Sequence, residues 1–153
     1  METSTERNVA ALIHLSTFSQ YVIPFGNYIF PIVLWTSKKD QSEFIDHNGK
    51  QVLNFQLSIL IYSLVLAMIA IPIFLYTVLK NVSIYDIINN ENNEIIFKSF
   101  DYGNSIGILT IGVLALLVIA SIKVAEFFLI IYASVKASNG EEYSYPFTIP
   151  FLK

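Results

Sequence analysis

The sequence predicts an all-α protein that spans a membrane several times, with four helices and a short interfacial helix on the cytoplasmic side. Two observations predict it. Charged residues make up 14% of the 153, against about a quarter in a soluble domain. They are also segregated: residues 8–37, 51–79 and 102–122 contain none at all. About twenty apolar residues cross a bilayer core of roughly 30 Å, so each stretch is long enough. In hydrocarbon every backbone N–H and C=O must find a partner inside its own segment or barrel. Barrel strands would alternate in polarity, whereas Ile106–Ile122 is apolar on all sides, which selects helices. Met1-Glu-Thr-Ser-Thr-Glu-Arg7 is not the basic start of a cleavable signal peptide, so the apolar segments are expected to stay. The whole chain reads as one membrane domain, with lipid as its main partner.

The first charge-free stretch is too long for one crossing, and Pro24-Phe25-Gly26-Asn27 interrupts it. Proline lacks the N–H that a helix interior needs, and glycine tolerates a turn. The expectation is a hairpin of helices over 8–22 and 25–37, the second short enough to be re-entrant. Its Trp35 suits the headgroup level. A cytoplasmic loop over 38–50 follows, where Asp40 and Glu43 have capping-box spacing and Asp46 and Lys50 make a favourable i,i+4 pair. Gly49 is expected to turn the chain into a helix over 51–79, with a proline at position 72. The polar connection 80–105 forms the outer loop, and the last helix covers 106–136.

Cationic residues set the orientation. With the hairpin, Arg7, Lys38, Lys39, Lys50, Lys136 and Lys153 share one side while Lys80 and Lys98 lie on the other. Both termini are therefore expected in the cytoplasm of a cell bounded by this inner membrane.

Lys123 and Glu126 stand alone in a run that is otherwise apolar from Ile106 to Val135. At the centre of a span each charge costs roughly 2.5–3.5 kcal/mol, and i,i+3 spacing lets the two pair on one face. An intramembrane charge suggests an ion, proton or substrate path; the plainer reading is a self-neutralised pair that locks helix packing, and the plainer one is favoured. His14, flanked by Ser16, Thr17 and Ser19, reads as a hydrogen-bonding contact to a neighbouring helix more readily than as a proton relay. Gln51, Asn54 and Ser58 fall on one helical face, which Tyr62 extends, with Gln56 off it. Amides in a span need partners, so this face should look inward at other helices.

With no cysteine and two separated histidines, neither a metal site nor another cofactor is expected. The net charge of −3 argues against nucleic acid. No nucleophile elbow, phosphate loop or paired-carboxylate site is present to carry an enzyme.

Ala10-Ala-Leu-Ile-His14-Leu-Ser16, Pro24…Pro31-Ile-Val-Leu-Trp35…Lys38-Lys39-Asp40, Phe44-Ile-Asp-His47-x-Gly-Lys50…Leu53-Asn54-Phe55-Gln56 and the close Lys136-Ala137…Gly140-Glu…Tyr145-Pro146-Phe-Thr-Ile149 keep a common order. In that order they resemble a small bacterial membrane family of unknown function. That family is similar to the twenty-kilodalton Tic component of the chloroplast envelope and is sometimes labelled an import component. The resemblance covers about 1–56 and 133–153, and implies a multi-span inner-membrane protein with a part in moving precursor proteins. Its motifs gather on the cytoplasmic side, where Lys38, Lys39, Asp40, His47, Tyr145 and Pro146 would form a collar. The expected role is a membrane scaffold or assembly factor working through contacts with other membrane proteins or copies of itself. The alternative is a channel or transporter using Lys123, Glu126 and the polar helix face.

Overall fold

The computed structural model describes residues 2–81 and 102–153. These form four α-helices, α1 (Ser4–Leu15), α2 (Gly26–Lys38), α3 (Glu43–Asn81) and α4 (Tyr102–Ser138), with 3-10 segments at Ser16–Tyr21 and Lys39–Gln41. No strand occurs among the described residues. The outer loop expected over 80–105 lies largely outside them.

α1 begins at a reciprocal capping box: the Glu6 N–H donates to Thr3 Oγ1, and the Thr3 N–H donates to Glu6 Oε2 at 2.7 Å. Two orphan donors of the first turn are thereby satisfied. The helix tightens where the hydroxyls begin. Ser16, Thr17 and Ser19 each donate to the carbonyl three residues back, at 2.6–2.7 Å, and residues 16–21 adopt the narrower 3-10 winding. The chain then turns at the expected place, but Phe25 takes the left-handed conformation (φ 62°). Gly26 serves close approach instead: a Cβ there would lie 2.7 Å from the Ser19 carbonyl oxygen. α1 and α2, at 12 and 13 residues, are roughly 18–20 Å long, short of a 30 Å core.

α3 and α4 are long and apolar enough to cross a membrane, over Glu43–Ile73 and Thr110–Ser138. Only 11% of the most apolar stretch of each is buried within the protein, so neither resembles the core helix of a soluble domain. Both are near 55–58 Å in length and outreach the hydrocarbon. Residues 43–50 do not form an interfacial helix of their own; they open α3, which runs unbroken through Gly49. Nor does Gly49 make a turn, since its missing side chain makes room for Trp35, whose Cδ1 would lie 2.1 Å from an added Cβ. The Trp35 indole N–H donates to Asp46 Oδ1 at 2.8 Å, and Asp46 pairs with Lys50 at 2.6 Å.

Contacts divide the chain into two units, one of Met1–Tyr62 with Lys123–Lys153, the other Ser63–Ile122. The first holds a core of Ile13, Ile45, Val52, Phe55, Ile130, Ala133 and Tyr145. Beside it Ala10, Ala11, Phe44 and Ala137 pack closely, and Ser134 donates to the Ala11 carbonyl at 3.3 Å. Phe55 and Tyr145 stack with centroids 4.1 Å apart. The second unit is different in kind. Most of its described large apolar side chains are exposed, Leu64, Met68, Ile69, Leu114, Leu116 and Leu117 to 53–67%, a surface suited to lipid.

The Gly49–Trp35 contact yields a test. Gly49→Ala forces the indole outward and should cost about 1–3 kcal/mol. Because Trp35 is the sole tryptophan, its emission maximum in detergent should shift red as the thermal midpoint falls.

Candidate functional site

Two buried polar clusters lie in the first unit, and a third set of hydrogen bonds straps the tail onto α3. The first cluster centres on Glu126, 1% exposed although charged. Three elements supply its partners, and a fourth orients one of them. Lys123 Nζ donates to its Oε2 at 2.8 Å, while Gln20 Nε2 and Gln56 Nε2 donate to Oε1 at 3.1 and 3.3 Å. Asn27 Nδ2 in turn donates to Gln56 Oε1 at 2.8 Å, fixing that amide's orientation. Every contact to Glu126 is a donor, the pattern that an ionised carboxylate requires. The Lys123 side chain remains 47% exposed and can extend its ammonium outward. Gln56, placed off the polar face by periodicity, is fully buried here.

His14 forms the second cluster, and its protonation state follows from its partners. Asn48 Nδ2 donates to the Phe44 carbonyl at 2.8 Å, so Asn48 Oδ1 is the acceptor facing the imidazole at 2.9 Å. His14 Nε2 must then carry the hydrogen. That leaves Nδ1 to accept from the Tyr145 hydroxyl at 2.8 Å. A single directed chain results: Tyr145 to His14 to Asn48 to Phe44. It needs a neutral ring, and burial supplies one by pushing the His14 pKa down to about 4. Burial also raises the Tyr145 phenol well above its usual range, which keeps it a donor.

The polar face of α3 meets the tail rather than other helices. Tyr62 donates to the Phe147 carbonyl at 2.7 Å, Ser58 Oγ accepts from the Ile149 N–H at 2.8 Å, and Asn54 both donates to the Leu152 carbonyl (3.0 Å) and accepts its N–H (2.8 Å). The reason is backbone chemistry. A tail with prolines at 146 and 150 cannot pair its own main chain helically, so its N–H and C=O groups draw on side chains of α3. α4 has already ended, with Gly140 in the left-handed region (φ 79°) and the Glu141 N–H returning to the Lys136 carbonyl at 3.0 Å.

The collar residues do not form one cluster. Tyr145 is buried on His14, whereas Pro146 is exposed. Lys39 lies over the Trp35 ring at 5.3 Å, Lys38 and Asp40 are exposed, and His47 is half-buried with no hydrogen-bond partner for Nε2 among the described residues. Gln20, Asn27 and Asn48 escaped sequence reasoning. The available signal was an amide within or beside a charge-free stretch. No grouping of three or more His, Asp or Glu suited to a metal ion occurs among the described residues.

The family model of the magnetosome magnetite crystal formation proteins (MamF/MmsF) matches residues 5–152. No match to the chain was found among curated proteins or among solved structures. The chain belongs to the MamF/MmsF family, whose members are membrane proteins of the bacterial magnetosome involved in crystal formation. This corrects the resemblance to the Tic-twenty-like family, and the import role falls with it. The motifs behind that resemblance are framework parts: Pro24 at the hairpin turn, Gly49 against Trp35, Asn54 on the tail, Tyr145 on His14. They specify how the bundle is held and carry no information about cargo.

Two outcomes follow from the clusters. Lys123→Ala leaves the buried Glu126 charge with amide donors alone and should cost about 3 kcal/mol. Glu126→Gln, which keeps an oxygen for the Gln20 and Gln56 amides and leaves a lysine that is already half exposed, should cost about 1–2 kcal/mol; thermal unfolding in detergent ranks the two. His14 lies outside both long spans and has a lowered folded pKa, so the unfolded state binds more protons as pH falls. Stability should be full above pH 6.5, decline as pH drops toward 4 by about 3 kcal/mol, and level off below. A His14→Gln protein should show a flatter pH profile over that interval.

Proposed function

We propose that this member of the MamF/MmsF family is a non-enzymatic component of the magnetosome membrane. In this reading it contributes to crystal formation by contacts with neighbouring membrane proteins or copies of itself. One observation carries the reading. The polar groups that could have performed chemistry or transport are occupied internally: Glu126 by Gln20, Gln56 and Lys123, and His14 by Tyr145 and Asn48. What the protein offers outward is apolar flank, a strapped tail and the charged surface of residues 38–43. Transport through the Lys123/Glu126 pair is disfavoured on the same ground, since moving an ion past Glu126 would break hydrogen bonds from three side chains.

The cationic asymmetry supports an orientation with both termini in the cytoplasm and the 80–105 connection on the opposite side. That connection carries Asp86, Glu91, Glu94 and Asp101 against Lys80 and Lys98.

The absence of cysteine makes the orientation directly readable. In intact spheroplasts, a membrane-impermeant maleimide should label Asn92→Cys but not Thr5→Cys or Asn139→Cys until the membrane is opened. The contact role is tested in a magnetite-forming bacterium lacking this gene. A copy with Asn54→Ala, Ser58→Ala and Tyr62→Phe should lose in-cell crosslinks to membrane proteins and fail to restore crystal size. The Glu126→Gln copy, which removes the charge but keeps an oxygen for the Gln20 and Gln56 amides, should restore it. A parent protein that yields no crosslinked adduct, or liposomes in which it conducts ions, would refute this reading.

A further inference from the structure

A cleft of about 580 Å³ opens where α2 ends and α3 begins, within the size range of small-molecule sites. Trp35, Lys39, Asp40, Glu43, Asp46 and Lys50 line one side, and Phe151, Leu152 and Lys153 of the tail the other. Asp46 and Lys50 are satisfied by each other and by the Trp35 N–H. The remaining charges are less well matched. Lys39 lies over the indole face and within electrostatic reach of the already paired Asp46, and among the described residues no ion pair or side-chain hydrogen bond engages Asp40, Glu43 or Lys153. Beyond the Asp46–Lys50 pair, the cleft therefore holds two cations, Lys39 and Lys153, and two carboxylates, Asp40 and Glu43, around a space none of them fills.

Its location narrows the ligand. The cleft sits at the boundary between the charge-free stretches 8–37 and 51–79 and the charged segment 38–50, the transition that marks headgroup depth. A half-buried tryptophan and the Phe151–Leu152 wall give it an apolar side, as a bound acyl-glycerol would need. We infer that the cleft binds the zwitterionic headgroup of a phospholipid, phosphate toward Lys39 and Lys153 and primary ammonium toward Asp40 and Glu43. An anionic headgroup could pair its phosphate with the lysines but would bring no cation to the two carboxylates. A choline headgroup has no N–H to donate to them.

This goes beyond the contact role, and its failure leaves that role standing. The test is native mass spectrometry of the delipidated full chain in detergent, offered phosphatidylethanolamine, phosphatidylcholine and phosphatidylglycerol at equal concentration. Phosphatidylethanolamine should be retained about tenfold over the other two, the worth of one charge-assisted hydrogen bond. Asp40→Asn with Glu43→Gln should abolish that preference, and Lys39→Gln with Lys153→Gln should weaken retention of phosphatidylethanolamine. Asp40, Glu43 and Lys153 are exposed and Lys39 is half-buried, so both pairs should keep the parent's circular dichroism. Equal retention of the three lipids, a preference for phosphatidylglycerol, or indifference to both substitutions overturns the proposal. Soluble O-phosphoethanolamine bound as tightly as the lipid would also overturn it, by making the ligand a soluble zwitterion.

Discussion

A carboxylate buried to 1% exposure is the constraint around which the first unit is organised. Removing an ion from water costs several kcal/mol even after relaxation, and the lysine three residues away offsets only part of that. Glu126 must also have neutral donors, and the donors must come from elsewhere in the chain. Gln20 arrives on the 3-10 segment, Gln56 on α3, and Asn27 on α2 orients Gln56 from behind. The turn at Phe25–Gly26 and the narrowed winding of residues 16–21 place these amides within reach. Without the hairpin the charge would have no neutral donors from its first strand of helix, and without the charge the amides would lack a reason to converge.

The two units thus rest on different physics. In the first, helices are joined by directed hydrogen bonds as well as apolar packing, with Ala10, Ala11, Ala133 and Ala137 allowing close approach. In the second, the described surface is almost wholly aliphatic, and lipid chains are as apolar as the leucines they touch. Stability in the first unit should respond to single polar substitutions; the exposed aliphatic positions of the second should accept exchange among Leu, Ile, Val and Met at little cost.

The membrane class was legible because hydrocarbon tolerates so few sequences: three charge-free stretches leave helices as the solution. The hairpin turn was legible from Pro24 and Gly26, which act locally. Long-range partners were less so. Helical periodicity put Gln56 off the polar face formed by Gln51, Asn54 and Ser58, yet two faces of α3 are used, one for the tail and one for Glu126. Gly49 read as a turn since glycine permits one, when its role was to clear space for an indole fourteen residues earlier in the chain. His14 was visible as a hydrogen-bonding residue, but its partners Tyr145 and Asn48 lie 131 and 34 residues away, beyond any local pattern. Family membership was misread for a related reason: framework residues were taken for a functional signature.

The strap on α3 has an evolutionary corollary. Asn54, Ser58 and Tyr62 hold the main chain at Phe147, Ile149 and Leu152, using carbonyls that every amino acid has and N–H groups that all but proline have. The side chains of the strap are free of that grip, and Phe147 points into open surroundings at 89% exposure. Position 147 can therefore exchange its side chain and acquire new outward chemistry, while Asn54, Ser58 and Tyr62 preserve the attachment.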